Sequence, residues 1–469
     1  MRVLFVTPEC APLTKTGGLG DVSAALPAAL RALRLDVRVL LPGYPEVLAG
    51  LASAAEAARV REIGLEARIL ESGAFLVLDC PPLYRRDGGP YQDAEGQDRP
   101  DNALRFGLLA KTAARLGGAA SPLGWRPDVV HLNDWPAALA AAYLHFGDGG
   151  RAATLLTVHN LAFQGNFPAE LLARLELPAA SFTLDGVEFH GQLSFLKGGL
   201  AYADAISTVS PRYASEIQGE ALGCGLDGLL RRRRAVLTGI LNGIDTEAWD
   251  PRRDPHLAER YDASCLERKA VNKTVLQRRM GLEAAAALPV LGMVGRLTHQ
   301  KGVDLLVAAA GALAALPAQL AVLGTGSREY EAALRSLAAR HPGRIGVAIG
   351  FDEALAHLIE AGSDLFLMPS RFEPCGLNQM YSLRYGTPPV ARATGGLADT
   401  IAHGETGFLF ERAEGAALAE AVRDAVAAWR DTPRWRTMQR AGMARDFSWS
   451  GPARRYADLY SGLVSRAPP

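Results

Sequence analysis

Neither sign of charge prevails in this 469-residue sequence: fifty Lys plus Arg stand against fifty Asp plus Glu, a formal net charge of zero. With no global basic field, nucleic acid and acidic lipid surfaces are excluded as general partners, and any anion has to be held locally. Cysteine is scarce as well. Cys10, Cys80, Cys224, Cys265 and Cys375 are odd in number, far apart and never in a CxxC pair, which argues against a disulfide framework or a structural zinc site. No stretch approaches the length of apolar residues a membrane span needs without meeting a charge, Gly or Pro. The opening run Met1–Val6 gives way to Thr7-Pro8-Glu9 with no signal-peptide core behind it, so the expected compartment is a reducing cytoplasm. Neither Asp-x-Asp nor His-x-x-x-His spacing supplies metal ligands. Lysine is rare too: only Lys15, Lys111, Lys197, Lys269, Lys273 and Lys301 occur, and every other basic residue is arginine. Where a lysine persists, either a compact point charge is required or chance has kept it.

What is present alternates. Short β-branched and apolar runs are separated by Ala/Leu/Arg-rich segments of helical period, the pattern of parallel sheets covered by helices, so the fold class is α/β. Strands are predicted at Val3–Val6, Val37–Leu41, Phe75–Leu78, Val129–Leu132, Thr154–Val158, Ala205–Val209 and Val236–Leu241. A second set follows at Val290–Val294, Leu320–Leu323, Ile345–Ile349, Leu365–Met368 and Pro389–Ala391. The opening strand, glycine loop and helix from Asp21 restart near Val290, with a helix after Gly302. We therefore expect two doubly wound, Rossmann-like domains, 1–243 and 244–469, facing a cleft, because open α/β sheets bind ligands at the carboxyl ends of their strands. The run Arg231–Arg234 is expected to be a solvated helix face rather than a binding site.

Five constellations could carry chemistry. Lys15-Thr-Gly-Gly-Leu-Gly-Asp21 lies between the first strand and first helix, where glycines let backbone N–H groups approach an anion and Lys15 adds a point charge; a plain turn is the alternative. It matches a dinucleotide fingerprint poorly, since Ser23 stands where a third glycine belongs. Gly295-Arg-Leu-Thr-His-Gln-Lys-Gly302 puts Arg296 and Lys301 on one short loop, suited to stabilising a diphosphate leaving group, unless its charges are incidental. In Ser370-Arg-Phe-Glu-Pro-Cys-Gly-Leu, Glu373-Pro374 is expected to open a helix, leaving the N–H groups of Cys375, Gly376 and Leu377 and the Glu373 carboxylate for sugar hydroxyls or for the helix dipole. Thr394-Gly395 belongs to another glycine turn ahead of a helix. His159 and Asn160, with Asp134, are polar tips of otherwise buried strands, either satisfied core groups or part of a cleft wall.

Taken in order, Lys15-Thr-Gly-Gly-Leu-Gly-Asp-Val, His159-Asn-Leu-Ala-Phe-Gln-Gly, Phe195-Leu-Lys-Gly-Gly-Leu, Thr208-Val-Ser-Pro, Leu241-Asn-Gly-Ile-Asp, Gly295-Arg-Leu with Gln-Lys-Gly302, and Glu373-Pro-Cys-Gly-Leu resemble the bacterial glycogen synthase family. The resemblance runs from Arg2 to about Tyr456. It implies a GT-B glycosyltransferase that moves glucose from ADP-glucose to the non-reducing end of an α-1,4-glucan, retaining configuration, with no metal and no cofactor. It further implies that Lys15, Gly17 and Gly18 meet the donor phosphates from the first domain and Arg296 and Lys301 from the second. Glu373 would bind the transferred glucose, with Cys375, Gly376 and Leu377 near its hydroxyls and Thr394 and Gly395 near the phosphates. His159, through its peptide carbonyl and ring, would line the donor glucose together with Asn160 and Asp134, the carbonyl helping stabilise an oxocarbenium-like transition state. Tyr91 resembles an aromatic at the acceptor side, and Phe351 stands where the family often has tyrosine, a ring able to stack on adenine. Pro136 replaces the commoner histidine after Asp134-Trp135. Trp449–Leu463 would return to the first domain. A UDP-glucose transferase acting on a small acceptor, and a catalytically silent glucan-binding protein, are the alternatives.

Overall fold

The computed structural model describes residues 1–147 and 149–466. The chain divides into two compact units, Met1–Gly243 joined by the segment from Trp449, and Ile244–Ser448. The final helix therefore groups with the first unit; the expected second domain was drawn to residue 469, with Trp449–Leu463 returning to the first.

In the first unit the strands are β1 (Arg2–Val6), β2 (Asp36–Pro42), β3 (Ala55–Glu62), β4 (Leu65–Ser72), β5 (Phe75–Asp79), β6 (Val129–Asn133), β7 (Ala153–Val158), β8 (Asn166–Pro168), β9 (Glu188–Phe189), β10 (Gln192–Ser194), β11 (Ala205–Thr208) and β12 (Leu237–Gly239). Nine of them form one sheet in the order β12-β11-β7-β6-β1-β2-β5-β4-β3, while β8, β10 and β9 make a small antiparallel sheet. From β12 to β5 all pairs are parallel, so these strands are covered on both faces and read as unbroken apolar runs, as in the fully buried Val3–Val6. The β3–β4 hairpin is antiparallel and was not expected. Its outer strand AEAARVRE is mostly exposed and carries no apolar alternation. Its turn places Ile63 and Gly64 both at positive φ, 49° and 74°, a conformation that Asn-Gly would announce and Ile-Gly does not.

The last helix, Ser450–Arg466, inserts Ala453, Tyr456, Tyr460 and Leu463 into this unit's core. A buried polar chain fixes it there. Tyr460 Oη bonds His131 Nδ1 at 2.7 Å, His131 Nε2 bonds Thr157 Oγ1 at 2.6 Å, and Thr157 bonds Ser207 Oγ at 2.6 Å.

The second unit is a single parallel sheet of β13 (Val290–Val294), β14 (Gln319–Gly324), β15 (Ile345–Ile349), β16 (Leu365–Met368), β17 (Pro389–Arg392) and β18 (Phe408–Phe410), in the order β15-β14-β13-β16-β17-β18. In each unit the strand order reverses beside the first strand, between β1 and β6 and between β13 and β16. Loops leaving the carboxyl ends at those reversals are where an open α/β sheet holds its ligand.

Candidate functional site

In the first unit, the loop from β1 runs to the helix Gly18–Ala32, which starts three residues earlier than expected. The loop is held from inside. Glu9, 3% exposed, accepts the N–H groups of Thr16 at 2.6 Å and Gly17 at 3.2 Å on Oε2, and the Tyr91 hydroxyl at 3.2 Å on Oε1. Two of the N–H groups on the expected anion-binding loop are thus directed at a carboxylate of the protein itself. The remaining donors for an external anion are the first N–H groups of the helix, at Gly18 and Leu19. Lys15 is half-exposed and pairs with Asp21 at 2.7 Å. A Cβ placed on Gly17 would meet nothing within 4 Å, so the loop's outer side is open.

The second group in this unit centres on Asp134, which opens the helix Asp134–His145 at φ 53°, a conformation seldom adopted outside glycine. Its Oδ1 accepts His159 N–H at 2.7 Å and Asn160 N–H at 3.4 Å. The next N–H groups are satisfied in turn: Leu161 by the Tyr213 hydroxyl at 3.1 Å, Ala162 by Asn160 Oδ1 at 3.1 Å, and Phe163 by the Asn160 carbonyl at 3.2 Å. Five successive donors therefore pin the turn, while the His159 carbonyl accepts no hydrogen bond from a described residue. Asn133 donates Nδ2 to the Val6 carbonyl at 3.0 Å, which turns its Oδ1 toward His159 Nε2, also at 3.0 Å. That pairing puts the ring proton on Nε2. Burial lowers the His159 pKa to about 3, so the ring is neutral at pH 7. Burial raises the Asp134 pKa to about 7, against the two backbone donors that favour its charged form. Pro136 occupies the first turn of the helix, where a missing N–H removes no hydrogen bond. Tyr91 lies against Phe106 and Trp135, with ring centroids 5.8 and 6.2 Å away.

In the second unit three loops meet at the carboxyl ends of β13, β16 and β17. Gly302, at φ 69°, caps the helix Val303–Ala315, and a Cβ there would lie 2.0 Å from the Pro369 carbonyl. Gly395, at φ 44°, abuts the Glu373 carbonyl in the same way, at 1.9 Å. These close approaches bring Lys301 Nζ to Glu373 Oε2 at 2.6 Å, where the Ser370 hydroxyl also donates at 2.9 Å. Glu373 is 5% exposed. Arg296, by contrast, is exposed and pairs with no carboxylate among the described residues.

Here one expectation is corrected. Glu373-Pro374 does not open a helix; the helix begins at Asn378, and Leu377 is its N-terminal flanking residue. Gln379 is one of the groups that hold the intervening loop, together with the Gly396 N–H on the Glu373 carbonyl at 3.1 Å. Its Nε2 donates to the carbonyls of Cys375 at 3.0 Å and Gly376 at 3.1 Å. In a trans peptide the N–H opposes the C=O, so the N–H groups of Gly376 and Leu377 point the other way. Cys375 and Thr394 are buried, and Thr394 flanks the short helix Gly395–Thr400. Phe351, just beyond Gly350 at φ 140°, is 88% exposed.

Each unit thus gathers its own share of the expected residues. Lys15, Gly17, Gly18 and Tyr91 gather around Glu9, and Asp134, His159 and Asn160 form one hydrogen-bonded turn; Arg296, Lys301, Glu373, Cys375, Gly376, Leu377, Thr394 and Gly395 belong to the interlocked loops. Glu9, Asn133, Ser370 and Gln379 were missed. Each acts through the backbone or through another side chain, and no local motif signals that. The Arg231–Arg234 run is not a uniform solvated face: Arg232 pairs with Asp185 at 2.6 Å, while Arg233 turns inward and donates to the carbonyls of Ala201 and Ala203. The adjoining cavity of ≈ 450 Å³ is lined by these arginines and by Arg151, which is committed to both oxygens of Asp204 at 2.7 Å.

Comparison with known proteins adds the following. The family described as starch synthase catalytic domain matches residues 2–232, and the family of glycosyl transferases group 1 matches residues 281–441. The chain is 58% identical to a glycogen synthase of Aromatoleum aromaticum, over 100% of this chain and 98% of that one. It is 54% identical to a glycogen synthase of Nitrosomonas eutropha, over 100% and 97%. Among solved structures, the catalytic domain of starch synthase IV from Arabidopsis thaliana, bound to ADP and acarbose, superposes with a TM-score of 0.86 at 30% identity, covering 99% of both chains. Sucrose-phosphate synthase from Thermosynechococcus elongatus, at 19% identity and a TM-score of 0.61 over 99% of this chain and 100% of that one, shares the fold.

Proposed function

The chain belongs to the glycogen synthase family of GT-B glycosyltransferases, and from that premise we propose that it carries glucose from ADP-glucose to the non-reducing end of an α-1,4-glucan with retention of configuration. The observation that carries this reading is the Lys301–Glu373 pair. A buried carboxylate held at a sheet's reversal by one ammonium and one hydroxyl is fixed in place and oriented to accept hydrogen bonds from a sugar. On this reading Lys301 reaches the donor diphosphate beside Glu373, and Arg296, which no carboxylate among the described residues neutralises, meets the same group. As the bond from glucose C1 to the diphosphate breaks, negative charge grows on the departing ADP and positive charge on the sugar ring. Fixed cations stabilise the first without reorganising. The His159 carbonyl, aimed by five satisfied N–H groups and accepting no described donor, offers its dipole to the second, with Asp134 and Asn160 along the same turn.

The first unit is the proposed acceptor side, bringing Tyr91 to the glucan and Lys15, Gly17 and Gly18 to the phosphates. The second is the proposed donor side, with Cys375, Gly376, Leu377, Thr394 and Gly395 around the sugar and phosphates and Phe351 on adenine. ADP-glucose and the glucan are the proposed substrates, no cofactor or metal takes part in the proposed reaction, and the cytoplasm is the proposed compartment. The test is nucleotide release with maltotriose as acceptor, offering ADP-glucose and UDP-glucose separately in EDTA. ADP release is expected at full rate. Release from UDP-glucose alone would move the chain to another donor, and a rate restored only by Mg²⁺ would overturn the metal-free reaction.

A further inference from the structure

Glu9 is a buried acid with no cation within ion-pair distance among the described residues. Its carboxylate is held by two backbone N–H groups and one phenol. Burial pushes its pKa up, and the nearby Asp21 adds to that, while the three donors oppose it. A buried carboxylate without a cation costs stability, and the sheet does not need this one, because β1 is already paired on both edges by β2 and β6. What Glu9 does is join the loop at Thr16–Gly17 to Tyr91, 82 residues beyond Glu9 in the chain. Oε2 ties down Thr16 and Gly17, immediately after Lys15; Oε1 ties down Tyr91, whose ring rests on Trp135, the neighbour of Asp134. Nor is Lys15 its partner, since that ammonium goes to Asp21. A Cβ at Gly20 would lie 3.0 Å from Lys15 Cγ and 3.4 Å from Glu9 Oε2, so glycine there leaves the two packed together.

We infer that Glu9 is a positioning residue whose single carboxylate sets both the glycine loop and Tyr91, so that the first unit's recognition of donor phosphate and of acceptor sugar depends on this one group. This rests on the proposed assignment of the Lys15 loop to the donor and of Tyr91 to the acceptor. Glu9 touches neither substrate; it acts through the Thr16–Gly17 backbone and the Tyr91 phenol.

The test measures ADP and maltotetraose binding separately, by calorimetry on the full chain, for the wild type, Glu9→Asp, Glu9→Gln, Tyr91→Phe and the Glu9→Asp/Tyr91→Phe double variant. Aspartate keeps the charge but is one methylene too short to hold both arms, and it should weaken both ligands on the order of tenfold, the equivalent of about one lost hydrogen bond each. Glutamine can still accept from the loop and donate to the Tyr91 oxygen, and should restore both affinities to within about threefold. Tyr91→Phe should weaken maltotetraose and leave ADP unchanged, which keeps the test open should Glu9→Asp not fold. In the double variant maltotetraose should bind no worse than to Glu9→Asp alone. Unchanged affinities in Glu9→Asp, multiplied maltotetraose losses in the double variant, a Glu9→Gln loss equal to that of aspartate, or a Tyr91→Phe effect on ADP would each overturn this shared positioning role, in which Tyr91 acts on the acceptor alone. A wild type that binds neither ligand would overturn the functional reading beneath it, and is distinguished from these outcomes by that fact.

Discussion

Arg296 and Lys301 stand five residues apart on one loop, yet they are predicted to fail differently. Arg296 is exposed and pairs with no carboxylate among the described residues, so Arg296→Ala should lower kcat/KM roughly a hundredfold or more, the ~3 kcal/mol expected of one transition-state donor, and leave thermal stability unchanged. Lys301→Ala should lose at least as much activity and some stability as well, because it strips from a buried carboxylate the one cation paired with it among the described residues. Steady-state rates and a melting curve for the two variants separate these outcomes. Asp134 gives a pH prediction. If its charge stabilises the developing cation on the sugar, kcat should rise with pH through about 7, and Asp134→Asn should be slower and flat across that range. Neutral His159 cannot supply this step, since its own pKa is about 3. The scarce lysines are mostly explained at this scale. Lys197, Lys269 and Lys273 each bury a compact ammonium, and Lys301 half-buries one, among carbonyls, hydroxyls or carboxylates, geometry that a planar guanidinium fits poorly.

Among the elements, the helix Ser450–Arg466 shows what one hydroxyl does. Removing it in Tyr460→Phe leaves His131 Nδ1 buried without a partner, a cost of about 1–3 kcal/mol that urea unfolding should register. A variant as stable as the wild type would show that the Tyr460–His131 bond contributes little. Central strands such as Val3–Val6 and Leu365–Met368 were legible in the sequence because burial on both faces demands continuous apolar runs. The β3–β4 hairpin was not, because an exposed edge strand of alternating charge and alanine reads as helix, and Ile63 conceals its turn. The loops were half legible. Glycines and cations revealed that Lys15, Arg296 and Lys301 sit at strand ends, but the helix start displaced from Glu373 to Asn378 depends on Gln379, whose contacts are tertiary. Glu9 was illegible for the same reason, since its partners are a backbone seven residues on and a phenol at position 91.

At the scale of the whole molecule, two buried histidines add a pH dependence to stability in acid. His131 and His159, both depressed to about 3, stay neutral in the folded chain while the unfolded chain takes up protons below about pH 6.5. Their contribution is complete above that pH and is lost as pH falls toward 3. Asp134 acts in the opposite sense, binding a proton when folded between its ordinary range and about 7. His131→Gln should flatten the slope of unfolding free energy against pH by about one proton, ~1.4 kcal/mol per pH unit, in urea titrations between pH 4 and about 6. An unchanged slope would mean that His131 is protonated in the fold. The two-unit organisation was legible because the strand, glycine loop and helix pattern restarts at Val290, whereas the return of the last helix to the first unit rests on Tyr456 and Tyr460 finding His131. The measurement that bears most directly on the function is proton NMR of maltotetraose during incubation with ADP-glucose. New α-1,4 anomeric signals should grow in step with released ADP. Released ADP with free glucose and no lengthened chain, or a new β linkage, would contradict the proposed function.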